Sequence, residues 1–347
     1  MILGGQEGRP AVHDPGKMLG SVRTGAVRAS VIGSQKLARP FSSGADGFAK
    51  FATHLMRCNQ KCFERVADDL EARNLREGSR ILDLGASAGE PSLTIAARTS
   101  GFYVVSTDYA PPNKSLGVAR AAAFGLANAE FHTTDAQDLS AWGDRSFDAA
   151  VGTYVLMFTP DVPQVCREVH RVLKPGAPFI TTVWQPPPEV DIFGNGLMKM
   201  MMTLREAGKM PMPSADPSKP PPANPCNLAN SAPEGALADA LADAGFTDIV
   251  AEPWPYEITV AGRSPEDVAA RFIEATPFHG DILNEGGAPL LAEATALLTS
   301  IFEDAGHRMG PLAEHSPQWT GVDNPDGLTT GMVFKKNTSL YVTAMSS

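Results

Sequence analysis

Residues 79–91, Ser-Arg-Ile-Leu-Asp-Leu-Gly-Ala-Ser-Ala-Gly-Glu-Pro, run a short apolar strand into a two-glycine loop and then into a helix. A strand, glycine loop and helix N-terminus in that order bring backbone close to a bound nucleotide-like ligand. The glycines serve because a Cβ would block that approach or because the chain must take positive φ. Such a loop alone only joins two elements in many folds.

The next hundred residues repeat the layout. Strands are expected at Phe102–Thr107, ending in Asp108, at Ala129–Thr134, ending in Asp135, at Ser146–Gly152, opening onto Thr153 and Tyr154, and at Ala177–Trp184. Helical stretches at 112–126 and 162–173 separate them. That alternation predicts an α/β fold with a doubly wound, mostly parallel sheet and ligands over the carboxyl ends of its strands.

In Ile81-Leu-Asp-Leu-Gly85, Gly89-Glu-Pro, Asp108, Asp135-Ala-Gln-Asp-Leu, Ser146-Phe-Asp and Arg171-Val-Leu-Lys-Pro-Gly, the chain resembles the class I S-adenosylmethionine-dependent methyltransferases. The likeness is to the small-molecule group that includes the ubiquinone and menaquinone ring methyltransferases, and it covers residues 45–185 best. It implies a seven-stranded Rossmann-like sheet, S-adenosylmethionine as cofactor, and methyl transfer to a small, partly apolar organic acceptor. A polar acid or thiol acceptor stays open, as does a silent subunit that scaffolds an organelle complex.

The resemblance also implies roles for single residues. Gly85, Ala86, Ser87 and Gly89 would cradle the methionine portion and ribose. Asp83 would reach the ammonium, or else cap the loop backbone. Asp108, followed by Tyr109, would accept the ribose hydroxyls, because a carboxylate offers two acceptor oxygens and no donor. Asp135 would take the adenine amino group with Ala136 beside it, and Thr153 would lie by the methionine backbone. Ser87 departs from the usual Gly-x-Gly-x-Gly loop. Methyl transfer needs collinear placement more than acid–base help. If a base is needed, His54 and His279 are candidates, with Tyr154 near the transferred group. Phe158 and Trp184 would be further wall or core aromatics, and His132 a structural residue.

Residues 1–43 differ from the rest. Pro15–Ser43 holds five basic residues and no acid, which reads as a transit peptide or a disordered tail. Arg39-Pro-Phe-Ser-Ser resembles a mitochondrial processing site, and Val27-Arg-Ala-Ser a plastid one; a cytoplasmic location is the remaining option. Without residues 1–41 the chain has 23 basic and 37 acidic residues, a formal charge of −14. Such a surface argues against nucleic acid as partner. Cys58, Cys62, Cys166 and Cys226 show neither metal spacing nor a secreted disulfide framework, so no metal is expected. No apolar run reaches the ~18 residues of a membrane span. The partner is expected to be a small molecule, and the protein a monomer or homodimer.

The remaining boundaries follow from composition. Residues 44–184 form the cofactor-binding core and 185–232 a proline- and methionine-rich lid, with methionines at 198, 200, 201, 202, 210 and 212. The same methionines could instead pack a helix onto the core. Residues 233–260 add a core helix (Glu234–Ala244) and a sixth strand. Residues 261–338 read as a helical acceptor cap, striped at Leu290, Leu291, Ala294, Leu297, Leu298 and Ile301. Residues 339–347 close the chain as an antiparallel strand at the sheet edge.

Overall fold

The computed structural model describes residues 56–185, 190–212, 235–276, 278–312 and 326–347. His54, residues 1–43, and 213–234 of the expected lid and helix start lie outside them.

Five parallel strands build the first half of the sheet: β1 (Ser79–Leu84), β2 (Phe102–Asp108), β3 (Ala129–Thr133), β4 (Ala149–Thr153) and β5 (Pro178–Trp184). Helices α1 (Gln60–Ala72), α2 (Ser92–Arg98), α3 (Pro111–Ala123) and α4 (Val162–Val172) connect or flank them. The spatial order is β3-β2-β1-β4-β5-β8-β6, where β6 is Phe246–Ala261 and β8 is Thr330–Ser346. Helix α4 shows why these segments form where they do. Asp161 caps it by accepting the Gln164 N–H at 2.9 Å, and Val162, Val165, Cys166, Val169 and Val172 line one buried stripe.

The last strand departs from the expectation in place and length. It begins at Thr330, not Ser339, and lies inside the sheet, antiparallel to both β5 and β6. Ser339 pairs with Trp184 on one side and Trp254 on the other. The residues before Ser339 in β8 and after Trp254 in β6 therefore run on past the end of β5 as a two-stranded ribbon. A short strand, β7 (Arg308–Pro311), pairs with β8 along that ribbon and makes eight strands among the described residues.

The ribbon carries a second layer. A π-helical turn (Asp191–Met198) runs into α5 (Lys199–Glu206); after α6 (Ala236–Asp243) and β6 come α7 (Pro265–Glu274) and α8 (Phe278–Asp304). Helix α8 is broken at Gly287, where φ is +64°, just ahead of Pro289. The expected all-helical stretch 261–338 is thus interrupted by β7 and by the first half of β8. Residues beyond the strand ends need apolar contacts of their own, and Met200, Met201, Met210, Ile258, Phe272, Leu298 and Phe334 supply them as one core. Two further cores cover the two faces of the sheet. Trp254 packs against all three.

The methionines divide accordingly. Met200 and Met201 are fully buried and Met210 nearly so, while Met198, Met202 and Met212 are exposed. Half of the six methionines thus anchor residues 198–212 in that core. Among the described residues, no helix is long and apolar enough to cross a membrane, and no His/Cys/Asp/Glu group could hold a metal.

Candidate active site

The carboxyl ends of β1, β2 and β4 meet around the glycine loop. Gly85 has φ +66°, and a Cβ there would stand 2.4 Å from Val155 Cγ2. At Gly89, φ is +109° and a Cβ would meet Leu93 and Phe131 at 3.0–3.2 Å. Both glycines are therefore required by the protein's own packing and by backbone conformation, whatever the loop also holds. Ser87 sits between them at φ +50°. The loop is tied down by the Ala86 N–H on Thr107 O at 2.9 Å, with the Gly89 and Glu90 N–H groups on Ala86 O at 2.8 and 2.9 Å.

Asp83 and Asp108 bracket that loop. Asp83 is fully buried; its Oδ2 accepts from the Ser92 N–H at 2.9 Å and the Ser92 hydroxyl at 2.6 Å. Its Oδ1 is buried and has no partner. Burial pushes the carboxyl up to about 8; the Ser92 hydrogen bonds oppose this, and the charges of Glu90 and Asp108 add to it. Asp108 Oδ2 accepts the Ser87 N–H at 2.9 Å, and Oδ1 accepts the Ala110 N–H at 2.8 Å and Asn113 Nδ2 at 2.9 Å. Its pKa is raised by burial despite those bonds.

The remaining expected contacts are placed less openly. Asp135 curls onto its neighbour, accepting the Gln137 N–H at 2.9 Å and Gln137 Nε2 at 3.1 Å. Ala136 is buried beside it, Tyr109 is half-buried after Asp108, and Thr153 is buried in register with Thr182.

Tyr154, expected near the transferred group, has its hydroxyl held from within the fold. Its hydroxyl lies inside the protein, 2.6 Å from the Tyr256 hydroxyl and 3.1 Å from Ser339 Oγ, and burial drives its pKa well up. The hydroxyl is thus occupied within the protein, while the ring lies against Trp184, 5.2 Å between ring centres. His279 lies on the first turn of α8, its backbone N–H on Thr276 O at 3.3 Å. Among the described residues, no hydrogen bond or ion pair joins it to the strand-end loop. His132 lies in β3 with its ring edge-on to Trp142.

Two residues of the site escaped the sequence reading. Asn113, 2 % exposed, holds Asp108 and leaves its own Oδ1 buried without a partner. Arg120 reaches from α3 under the loop, donating to Ala88 O at 2.7 Å and pairing with buried Glu90 at 3.0 Å. A polar residue inside a helix gives no local sign that it faces a loop. The cluster Asp148, Arg171 and Lys174 belongs instead to the other end of the sheet. Lys174 binds Asp148 Oδ1 at 2.6 Å, Asp148 Oδ2 accepts the Arg80 N–H, and Arg171 pairs with Glu168 and Asp144.

Residues 82–181 match the sequence pattern of the family described as "Methyltransferase domain". This part of the chain is a methyltransferase domain. Over 110 residues the chain is 34 % identical to demethylmenaquinone methyltransferase of Thermus thermophilus, covering 32 % of this chain and 49 % of that protein. Over 115 residues it is 33 % identical to arsenite methyltransferase of Aquipseudomonas alcaligenes, covering 31 % and 33 %. The chain thus spans half or less of the length of these relatives. Among solved structures, Haemonchus contortus phosphoethanolamine N-methyltransferase 2 in complex with S-adenosyl-L-methionine aligns at a TM-score of 0.43 and 16 % identity, covering 81 % of this chain and 52 % of that one. Everything outside residues 82–181, including the ribbon and its helices, lies beyond the family pattern.

Proposed function

We propose that the chain transfers a methyl group from S-adenosylmethionine to a small, partly apolar organic acceptor. The observation that carries this reading is the buried, unpartnered Asp83 Oδ1 at the end of β1, beside a glycine loop whose Ser87 N–H is fixed by Asp108. A buried acceptor without a donor is costly, and an ammonium donor would satisfy it. Asn113 Oδ1, on the residue that holds Asp108, is another buried acceptor without a partner. Asp108 keeps lone-pair capacity on Oδ2 for a hydroxyl donor, since Oδ1 accepts two N–H bonds and Oδ2 only one.

When bound, S-adenosylmethionine would supply an activated methyl group that a nucleophile takes in line as the carbon–sulfur bond breaks and S-adenosylhomocysteine leaves. The protein's own work is then placement. Asp83 and Asp108 would hold the two ends of the cofactor's amino-acid and ribose portions, and the 85–89 loop would fix the distance between them. Holding reacting groups collinear is the main source of rate in such a transfer. Support for an apolar acceptor comes from the ring cluster beyond β5. Trp184 contacts Tyr154 at 5.2 Å, Phe193 at 4.2 Å and Phe158 at 6.5 Å between ring centres, and Phe158 is 39 % exposed. The basic, acid-free stretch Pro15–Ser43 supports import into a mitochondrion, with a plastid as the alternative.

Isothermal calorimetry with S-adenosylmethionine, followed by a screen of quinol, phenol, thiol and carboxylic acid acceptors, tests the reading. Micromolar binding with turnover on an apolar ring supports it. No binding at millimolar cofactor ends it, and tight binding with no turnover on any acceptor or extract turns it toward a silent subunit.

A further inference from the structure

Four buried hydroxyl and amide groups from four separate segments meet behind the cofactor loop. Tyr154 follows β4, Tyr256 lies in β6, Ser339 in β8, and Asn59 in the turn before α1. All four are buried. The direction of the hydrogen bonds can be worked out. Tyr256 donates its one proton to Asn59 Oδ1 at 3.1 Å. Tyr154, 2.6 Å away, then donates to Tyr256, and Ser339 Oγ, which carries one proton, lies 3.1 Å from the Tyr154 hydroxyl and 3.5 Å from that of Tyr256.

Tyr154 also has φ +58°, a left-handed conformation unfavourable to an aromatic residue. Its N–H is held by Thr182 O at 2.9 Å, and the next side chain, Val155, is the one that fills the space over Gly85. The strained 153–155 turn is therefore fixed at one end by the hydroxyl chain and presses on the glycine loop at the other. Asn59 belongs to the turn whose Met56 packs on Ala88 in that same loop.

We propose that Tyr256 is a positioning residue for the cofactor loop. Through Tyr154 it holds Val155 over Gly85, and so couples the helical layer on the β6–β8 ribbon to the methyl-donor site. The inference rests on the cofactor reading above, but its test separates the two. Tyr256→Phe removes only the hydroxyl and keeps the ring that stacks on Trp254 at 4.5 Å. Amide hydrogen exchange, resolved to single residues, is measured on this variant and the parent without cofactor, alongside calorimetry with S-adenosylmethionine.

The expected result is faster exchange at Ala86, Ser87 and Tyr154 with α7 and α8 protection unchanged, and cofactor affinity about three- to tenfold weaker. Tyr154→Phe should give the same loss, and the double variant no more than either alone, because one chain is broken in each. Should Tyr256→Phe not fold, Ser339→Ala and Asn59→Ala break the same chain elsewhere. Unchanged loop exchange and affinity in a folded variant, or losses that add, overturn the coupling. If the parent does not bind S-adenosylmethionine, the cofactor reading fails while the exchange arm still decides the coupling.

Discussion

The backbone N–H of Ser87 donates to Asp108 Oδ2 at 2.9 Å, so the tip of the glycine loop is fastened to the end of the neighbouring strand. Asp108 is therefore part of the loop's construction before any ligand arrives. Asp108→Ala should weaken S-adenosylmethionine binding by about tenfold or more. It should also lower the melting temperature, because the Ser87 and Ala110 N–H groups lose their acceptor. Calorimetry and thermal melting on one sample check both, and a shift in neither returns Asp108 to a solvated strand-end aspartate.

Asp83 makes stability and binding depend on pH. Its folded pKa of about 8 stands above the ordinary 3.8, so the folded state holds a proton that the unfolded state releases between those values. Stability from this group is thus full at low pH and declines as pH rises toward 8. Asp83→Asn should flatten that decline in a urea series between pH 5 and 8.5. A bound ammonium would favour the carboxylate, so cofactor binding at pH 7 should release a proton. Calorimetry in buffers of different ionisation enthalpy reads that release directly.

Gly85→Ala should destabilise the fold for two reasons that can be separated. An L-residue in the left-handed region costs ~1–2 kcal/mol, and the new Cβ meets Val155 at 2.4 Å. Combining it with Val155→Ala should recover the steric part and leave the backbone part. Urea unfolding of the single and double variants measures the two, and no recovery would show that the clash is absorbed elsewhere.

The methionines of 198–212 should fall into two groups. Met201→Ala, at a fully buried position, should cost ~2–5 kcal/mol of stability. Met198→Ala and Met202→Ala, both exposed, should leave the melting temperature nearly unchanged. Equal effects from all three would contradict the division.

The strand ends were legible in the sequence because parallel strands write themselves as apolar runs, and Asp83, Asp108 and Asp135 each punctuate one. Helix α4, expected over 162–173 and found at Val162–Val172, was legible for the same local reason. What could not be read was pairing between distant segments. Nothing near Ser339 says that β8 starts nine residues earlier or that it slots between β5 and β6. Tyr154 looked available for chemistry because its partners, Tyr256 and Ser339, lie 102 and 185 residues away. The methionine run gave both answers at once, since an apolar, flexible residue suits a core and a mobile wall equally.

The place of β8 has a consequence for how the chain is made. Strand β6 pairs with β8 and with no other strand among the described residues, and residues 262–329 separate them. At roughly 5–20 residues per second of synthesis, β6 leaves the ribosome several seconds ahead of the strand that will join it to the sheet. Its open edge is then a template for wrong partners. The nascent chain should be most prone to aggregate in that interval, and to need a chaperone there.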